Sequence, residues 1–137
     1  MLEALLRDHL RSTKTFSDGS HMNITTEKGF KYRLHGITDS TVNILGTCTK
    51  LTLLQCKNIK IVADKLPIMG IEIMHSDNVT MDITASNGAG YVVIDHSVLL
   101  KLEINQECTV DVNECMNVLL NDCNISDLYI DSTWHLS

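Results

Sequence analysis

The sequence predicts an all-β fold, a parallel β-helix of about five two-stranded coils behind a short N-terminal helix. Short runs alternate apolar and polar residues, and corners made of a polar and then a small residue recur at steps of about twenty residues. The apolar fraction is 44%, yet aromatic residues make up only 4%. Val, Ile, Leu and Met must therefore fill the interior, and such small aliphatic side chains suit regular stacked layers.

The first 22 residues differ in pattern from the rest of the chain. Leucines at helical spacing predict a short amphipathic helix over residues 1–18; they are Leu2, Leu5, Leu6 and Leu10. The following Gly19-Ser20-His21-Met22 matches the scar that expression vectors commonly leave. We therefore divide the chain into a leader helix, residues 1–22, and a β-helix domain, residues 23–137. A vector-derived leader, a fused partner peptide and a native helix remain open as its origin.

Short β-type runs follow from Lys31 onward. They are Thr41–Leu45, Leu51–Leu54, Ile59–Val62, Gly70–Met74, Val79–Ile83, Tyr91–Ile94, Leu100–Ile104, Thr109–Val112, Val118–Leu120 and Leu128–Ile130. Most of them alternate apolar with polar or small residues, as in LTL, IKI and VTMDI. This period of two predicts strands with one buried and one solvated face.

The corners between these runs favour stacked coils over a meander or a sandwich. They align as His35-Gly36, Gln55-Cys56, His75-Ser76, His96-Ser97 and Glu114-Cys115. In a β-helix equivalent residues stack at about 4.8 Å, so the small residues would form one buried column. An asparagine follows two positions after the small residue at three corners: Asn58, Asn78 and Asn117. A sandwich remains the structural alternative, although it would favour Gly-rich two-residue hairpins.

Cysteine content and charge restrict the cellular setting and the partners. Five cysteines, an odd number without CxxC spacing, argue against a disulfide framework. We expect a reduced, cytoplasmic protein. The net charge of −6 disfavours nucleic-acid binding. The apolar runs are all shorter than the roughly 20 residues that would span a bilayer.

The outward positions of the predicted strands supply candidate contact residues. We predict that Lys60, Asp82, Lys101 and Glu103 form a polar protein-binding surface. Tyr129 and Trp134 are the candidate homodimer or oligomer contact, because an exposed aromatic near an edge strand usually has a partner. Trp134 could equally cap the last coil.

We predict no catalytic residue, no metal site and no cofactor. Cys56 and Cys115 have no local base or oxyanion donor, so corner packing is the better interpretation. The corner histidines, His35, His75 and His96, could bind a transition metal. However, non-ligands interrupt their column, and a solvated polar ladder is the simpler interpretation. The chain is therefore not expected to be an enzyme.

The stretch from Val42 to Leu120 resembles the C-terminal domain of adenylyl cyclase-associated proteins, within the superfamily that includes tubulin cofactor C. The residues that carry the resemblance are CTKLTLLQCKNIKIVADKLPIMGIEIMHSDNVTMDI and VDVNECMNVLL. The resemblance implies a right-handed β-helix that dimerises through C-terminal strands, binds monomeric actin and promotes its nucleotide exchange. The cofactor C branch stimulates GTP hydrolysis with an arginine. This chain has no arginine after Arg33, which argues against that activity.

The functional prediction is therefore a non-catalytic binding domain for a cytoskeletal protein, with actin as the leading candidate. The alternative is a self-assembling structural module of the cytoskeleton that does not bind actin, its coils stacked end to end. Light scattering against concentration distinguishes them, because a closed dimer saturates whereas a stacking module keeps growing.

Overall fold

The computed structural model describes residues 13–16, 21–65, 67–83, 90–105, 107–126 and 131–136. Every regular element in these ranges is a strand, and none of them is a helix. The strands are β1 (Thr13–Phe16), β2 (His21–Thr25), β3 (Lys31–His35), β4 (Thr38–Leu45), β5 (Lys50–Leu54), β6 (Lys57–Ala63), β7 (Ile71–Met74), β8 (Asp77–Ile83), β9 (Gly90–Asp95), β10 (Val98–Ile104), β11 (Cys108–Asn113), β12 (Met116–Leu120), β13 (Cys123–Ser126) and β14 (Ser132–Leu136).

The strands form two sheets of seven. One, which we name the odd sheet, has the order β1-β3-β5-β7-β9-β11-β14, and the other, the even sheet, has the order β13-β12-β10-β8-β6-β4-β2. Most hydrogen-bonded neighbours are two strands apart in the chain, so the backbone crosses between the sheets at each corner. The result is a β-solenoid of about five turns, which confirms the predicted all-β fold of stacked coils.

The last two strands run against the rest. Between β1 and β12 every paired neighbour is parallel, whereas β14 lies antiparallel to β11 and β13 lies antiparallel to β12. This reversal covers the same end of both sheets, where an open parallel edge would invite pairing with another chain. The sequence predicted a terminal strand at Leu128–Ile130, which lies outside the described residues.

The core consists of aliphatic columns that run along the solenoid. Successive strands of the odd sheet align Leu53, Ile73, Ile94 and Val112, each with no exposed surface. The even sheet contributes the facing column Ile61, Met81, Leu102 and Leu120. Because side chains alternate along each strand, the residues between these positions point to solvent. The predicted aliphatic, layered interior is therefore confirmed.

The sequence predicted that the buried corner column begins at Gly36, but in the structure it begins at Ile37. Its members are Ile37, Cys56, Ser76, Ser97 and Cys115, none more than 2% exposed. Gly36 lies one position earlier, where its φ of +68° matches the left-handed backbone of Gln55 in the next coil. His35 is correspondingly shifted and pairs with Leu54. Glycine takes this conformation without steric cost, so it occupies the bend and the next residue turns inward.

The predicted N-terminal helix is not supported. Thr13–Phe16 is a strand paired with β3, and His21–Thr25 is a strand paired with β4, while residues 1–12 lie outside the described residues. Alternating β-branched residues favour strand over helix once a sheet edge supplies hydrogen bonds. Phe16 also stacks on Tyr32, with ring centroids 6.3 Å apart. Strands thus begin ahead of residue 23. The three alternatives for the origin of residues 1–22 stay open.

Candidate functional site

The four predicted contact residues lie on one surface, the outer face of the even sheet. Parallel pairing aligns Lys60 of β6 with Thr80 of β8 and then with Lys101 of β10. The adjacent row, two residues further along the same strands, aligns Asp82 with Glu103. Since neighbouring strands are about 4.8 Å apart, the two lysines are separated by roughly 10 Å. The sheet therefore holds two cations beside two anions in a fixed array.

None of these four charged groups has an ion-pair partner among the described residues. Lys60 and Lys101 are exposed, while Asp82 and Glu103 are half-buried. A charge without an intramolecular partner retains its full capacity to pair with a charge on another protein. The array can therefore supply complementary contacts, which determine orientation and association rate more than raw affinity.

A ladder of amide side chains borders this face at the corner. Equivalent positions are occupied by Asp39, Asn58, Asn78, Leu99 and Asn117, and all five have a positive φ between 50° and 57°. The Asn78 side-chain amide donates to Asn58 Oδ1 at 2.8 Å, and that of Asn58 donates to Asp39 Oδ1 at 2.9 Å. Asparagine and aspartate tolerate left-handed backbone because their side chains bond locally.

Leu99 interrupts this ladder, and the sequence analysis did not identify it. It is 52% exposed and lines a surface groove of about 340 Å³ together with Lys101 and Leu119. A signal was available: the corner His-Ser-Val-Leu has leucine where three other corners have asparagine. The groove therefore places the apolar side chain of Leu99 beside Lys101, one of the predicted contact residues.

The corner histidines form a solvated ladder along the opposite border of the corner. His35 Nε2 lies 3.0 Å from Gln55 Oε1, and the rings of His75 and His96 stack with centroids 5.1 Å apart. His96 Nε2 also contacts a carboxylate oxygen of Glu114. All five side chains are exposed. In the described part of the chain, no group of three His, Cys, Asp or Glu residues could hold a metal ion.

The buried thiols are poorly suited to nucleophilic chemistry. Burial raises the pKa of Cys56 and Cys115, and it raises the pKa of Cys48 and Cys108 to about 11. The thiolate is the nucleophile, so these groups remain in their unreactive protonated form at neutral pH. The corner thiols instead face backbone carbonyls, as Cys115 Sγ does with the Asn113 oxygen at 3.2 Å.

Of the two predicted oligomer contacts, Tyr129 lies outside the described residues and Trp134 lies in β14. Trp134 pairs with the inward-pointing Val110 and is 41% exposed, with its indole N–H donating to Ser132 Oγ at 2.9 Å. Directly paired residues share a sheet face, so the indole extends the inner face at the end of the solenoid. This position is compatible with either a cap or a contact.

No protein-family model, no curated protein and no solved structure matches this chain. Among the described residues no helix is long and apolar enough to cross a membrane. The class of protein that the fold defines is a two-sheet β-solenoid. Any proposal for its function has to be argued from the surface geometry described above.

Proposed function

We propose that this chain is a non-catalytic protein-binding module, a right-handed β-helix of the type found in adenylyl cyclase-associated proteins. Its partner is a cytoskeletal protein, with monomeric actin as the leading candidate, and it acts in the cytoplasm as a homodimer. The observation that supports the proposal best is the array of four charges on the outer face of the even sheet, none with an ion-pair partner in the described part of the chain; they are Lys60, Lys101, Asp82 and Glu103.

The scaffold makes such an array effective. Each of the four side chains projects from a strand flanked by hydrogen-bonded neighbours on both sides. Little backbone ordering is therefore required when a partner binds, and preorganisation of this kind lowers the entropic cost of association. Mixed charge with few large apolar groups is typical of a polar interface of moderate affinity.

Charge reversal on this face tests the proposal. The double variant Lys60→Glu/Lys101→Glu should bind monomeric actin about tenfold more weakly than the original chain, because two attractive contacts become repulsive. Fluorescence titration of labelled actin gives the affinity, and the rate of actin nucleotide exchange gives the second readout. Lys28→Glu/Lys31→Glu is the matched control, since it changes the net charge equally. Lys28 lies in the loop between β2 and β3, and Lys31 lies in β3 of the odd sheet.

Two results would contradict the proposal. The first is no binding of actin by the original chain at high micromolar concentration. The second is an equal loss of affinity in both double variants, which would assign the effect to net charge and not to this face.

The alternative function, an end-to-end stacking structural module, is favoured by one observation. β1 and β2 are the terminal strands of the two sheets, and a parallel edge can accept another strand. The antiparallel β13 and β14 work against stacking at the other end. Light scattering over a concentration series distinguishes a dimer that saturates from a growing assembly. Truncation of Trp134 to alanine then tests whether the dimer contact involves β14.

A further inference from the structure

Leu99 occupies a backbone conformation that leucine rarely adopts. Its φ is +57°, in the left-handed region where the Cβ atom approaches the carbonyl oxygen too closely. The equivalent residues in the other coils carry short polar side chains that tolerate this backbone; they are Asp39, Asn58, Asn78 and Asn117. Leu99 is thus the one aliphatic member of the column in the described coils.

Among the described residues, the burial of Leu99 offsets little of this strain, because the side chain remains 52% exposed. It also interrupts the amide ladder that links Asn78 to Asn58 and Asn58 to Asp39. Asparagine at position 99 would remove the strain and continue the ladder. Strained residues of this kind cluster at binding sites, where the gain is realised only in the complex.

The surroundings of Leu99 indicate what would bind there. Leu119 lies in the same groove, and Lys101 is aligned with Leu119 on the neighbouring strand. Lys101 is the one charged residue that lines this groove, and it makes no ion pair within the described chain. The groove thus combines Leu99, Leu100 and Leu119 with one cation that has no ion-pair partner in the described chain, and amide and hydroxyl side chains complete its lining.

We propose that this groove binds an extended segment of a partner protein that carries an apolar side chain next to a carboxylate. The apolar side chain lies between Leu99 and Leu119, and the carboxylate pairs with the Lys101 ammonium. The proposal rests on the assignment of this face as a protein-binding surface, and it adds the chemistry of the ligand. It does not require the partner to be actin.

Peptide titration followed by NMR tests this inference on the full chain. The probes are eight-residue peptides with one central Leu, Ile, Met or Phe flanked by Asp or Glu, and matched peptides flanked by Lys. The acidic set should shift the amide resonances of Leu99, Lys101 and Leu119, whereas the basic set should not. Leu99→Asn and Lys101→Ala should each weaken binding of the acidic set about tenfold.

Leu99→Asn should also raise the melting temperature by about 3 °C, because the left-handed strain is removed. Leu45→Asn is the matched control, since Leu45 is equally exposed at 50% but lies at the far end of β4. It should change neither peptide binding nor the ladder. If Leu99 had no role in binding, Leu99→Asn would increase stability without a loss of peptide binding.

The inference is overturned if both peptide sets bind equally, if Leu99→Asn binds as well as the original chain, or if the same resonances shift with protein concentration alone. The last result would identify a second copy as the occupant. Loss of actin binding with intact peptide binding would refute only the choice of actin. Actin binding that survives Leu99→Asn, with no peptide bound, would refute only this inference.

Discussion

At the residue scale, two buried serines hold adjacent corners together. Ser97 Oγ accepts a hydrogen bond from the Ser76 backbone N–H at 3.1 Å and donates to the Asp95 carbonyl at 2.9 Å. One coil below, Ser76 Oγ accepts from the Cys56 N–H at 3.2 Å and donates to the Met74 carbonyl at 3.0 Å. Each hydroxyl therefore satisfies a buried amide that the sheet ladders do not reach.

Ser97→Ala should lower the free energy of unfolding by about 1–3 kcal/mol, because the Ser76 N–H loses its partner while remaining buried. Urea denaturation monitored by far-UV circular dichroism gives the value. Ser97→Cys should cost less, since cysteine occupies the same position in the coils of Cys56 and Cys115. Equal losses in the two variants would contradict the hydrogen-bond explanation.

At the element scale, the turn between β6 and β7 depends on close backbone approach. Gly70 N–H donates to the Pro67 carbonyl at 3.0 Å, and its φ is +89°. A Cβ atom added at Gly70 would lie 2.1 Å from the Tyr91 carbonyl oxygen of the next coil. The turn is thus fixed both by its own conformation and by the coil stacked upon it.

Gly70→Ala should destabilise the protein by at least about 3 kcal/mol, because the strain of a positive φ is joined by a clash with the backbone. Gly29→Ala is the matched control: its φ is +88°, but a Cβ atom there would meet nothing within 4 Å. The control should cost about 1 kcal/mol. Thermal unfolding compares the two variants. Similar melting temperatures would show that the coils move apart enough to accommodate the Cβ atom at position 70.

At the scale of the whole molecule, thiol burial couples stability to pH. The thiols of Cys48 and Cys108 have an ordinary pKa of 9.0, which burial raises to about 11 in the folded chain. Between these values the unfolded chain binds fewer protons than the folded one. The free energy of unfolding should therefore fall as pH rises from 9.0 toward about 11.

Urea unfolding at a series of pH values measures this effect. Replacing these two of the buried thiols, as Cys48→Ala/Cys108→Ala, should make the decline shallower between pH 9.0 and about 11. Cys123→Ala is the control, because it removes an exposed thiol instead of a buried one. If the double variant declined as steeply as the original chain, other titrating groups would be responsible.

The sequence predicted those features of the fold and of the candidate site that depend on residues close together in the chain. Period-two alternation and corners every twenty or so residues predicted the stacked coils, since both follow from local geometry. The same signal placed Lys60, Asp82, Lys101 and Glu103 on one outer face. The prediction that Gly36 belongs to the column of Cys56 was wrong by one position, because the spacing of the corners does not show which residue adopts the left-handed backbone.

What the sequence by itself determined is the all-β class, the coil length, the aliphatic core and the outward positions, because each depends on spacing along the chain. The tertiary structure alone decided the strands at Thr13–Phe16 and His21–Thr25, the antiparallel cap and the groove at Leu99. These features depend on which coil lies next to which. A strained backbone angle and a reversed strand can be interpreted only once the neighbouring coils are known.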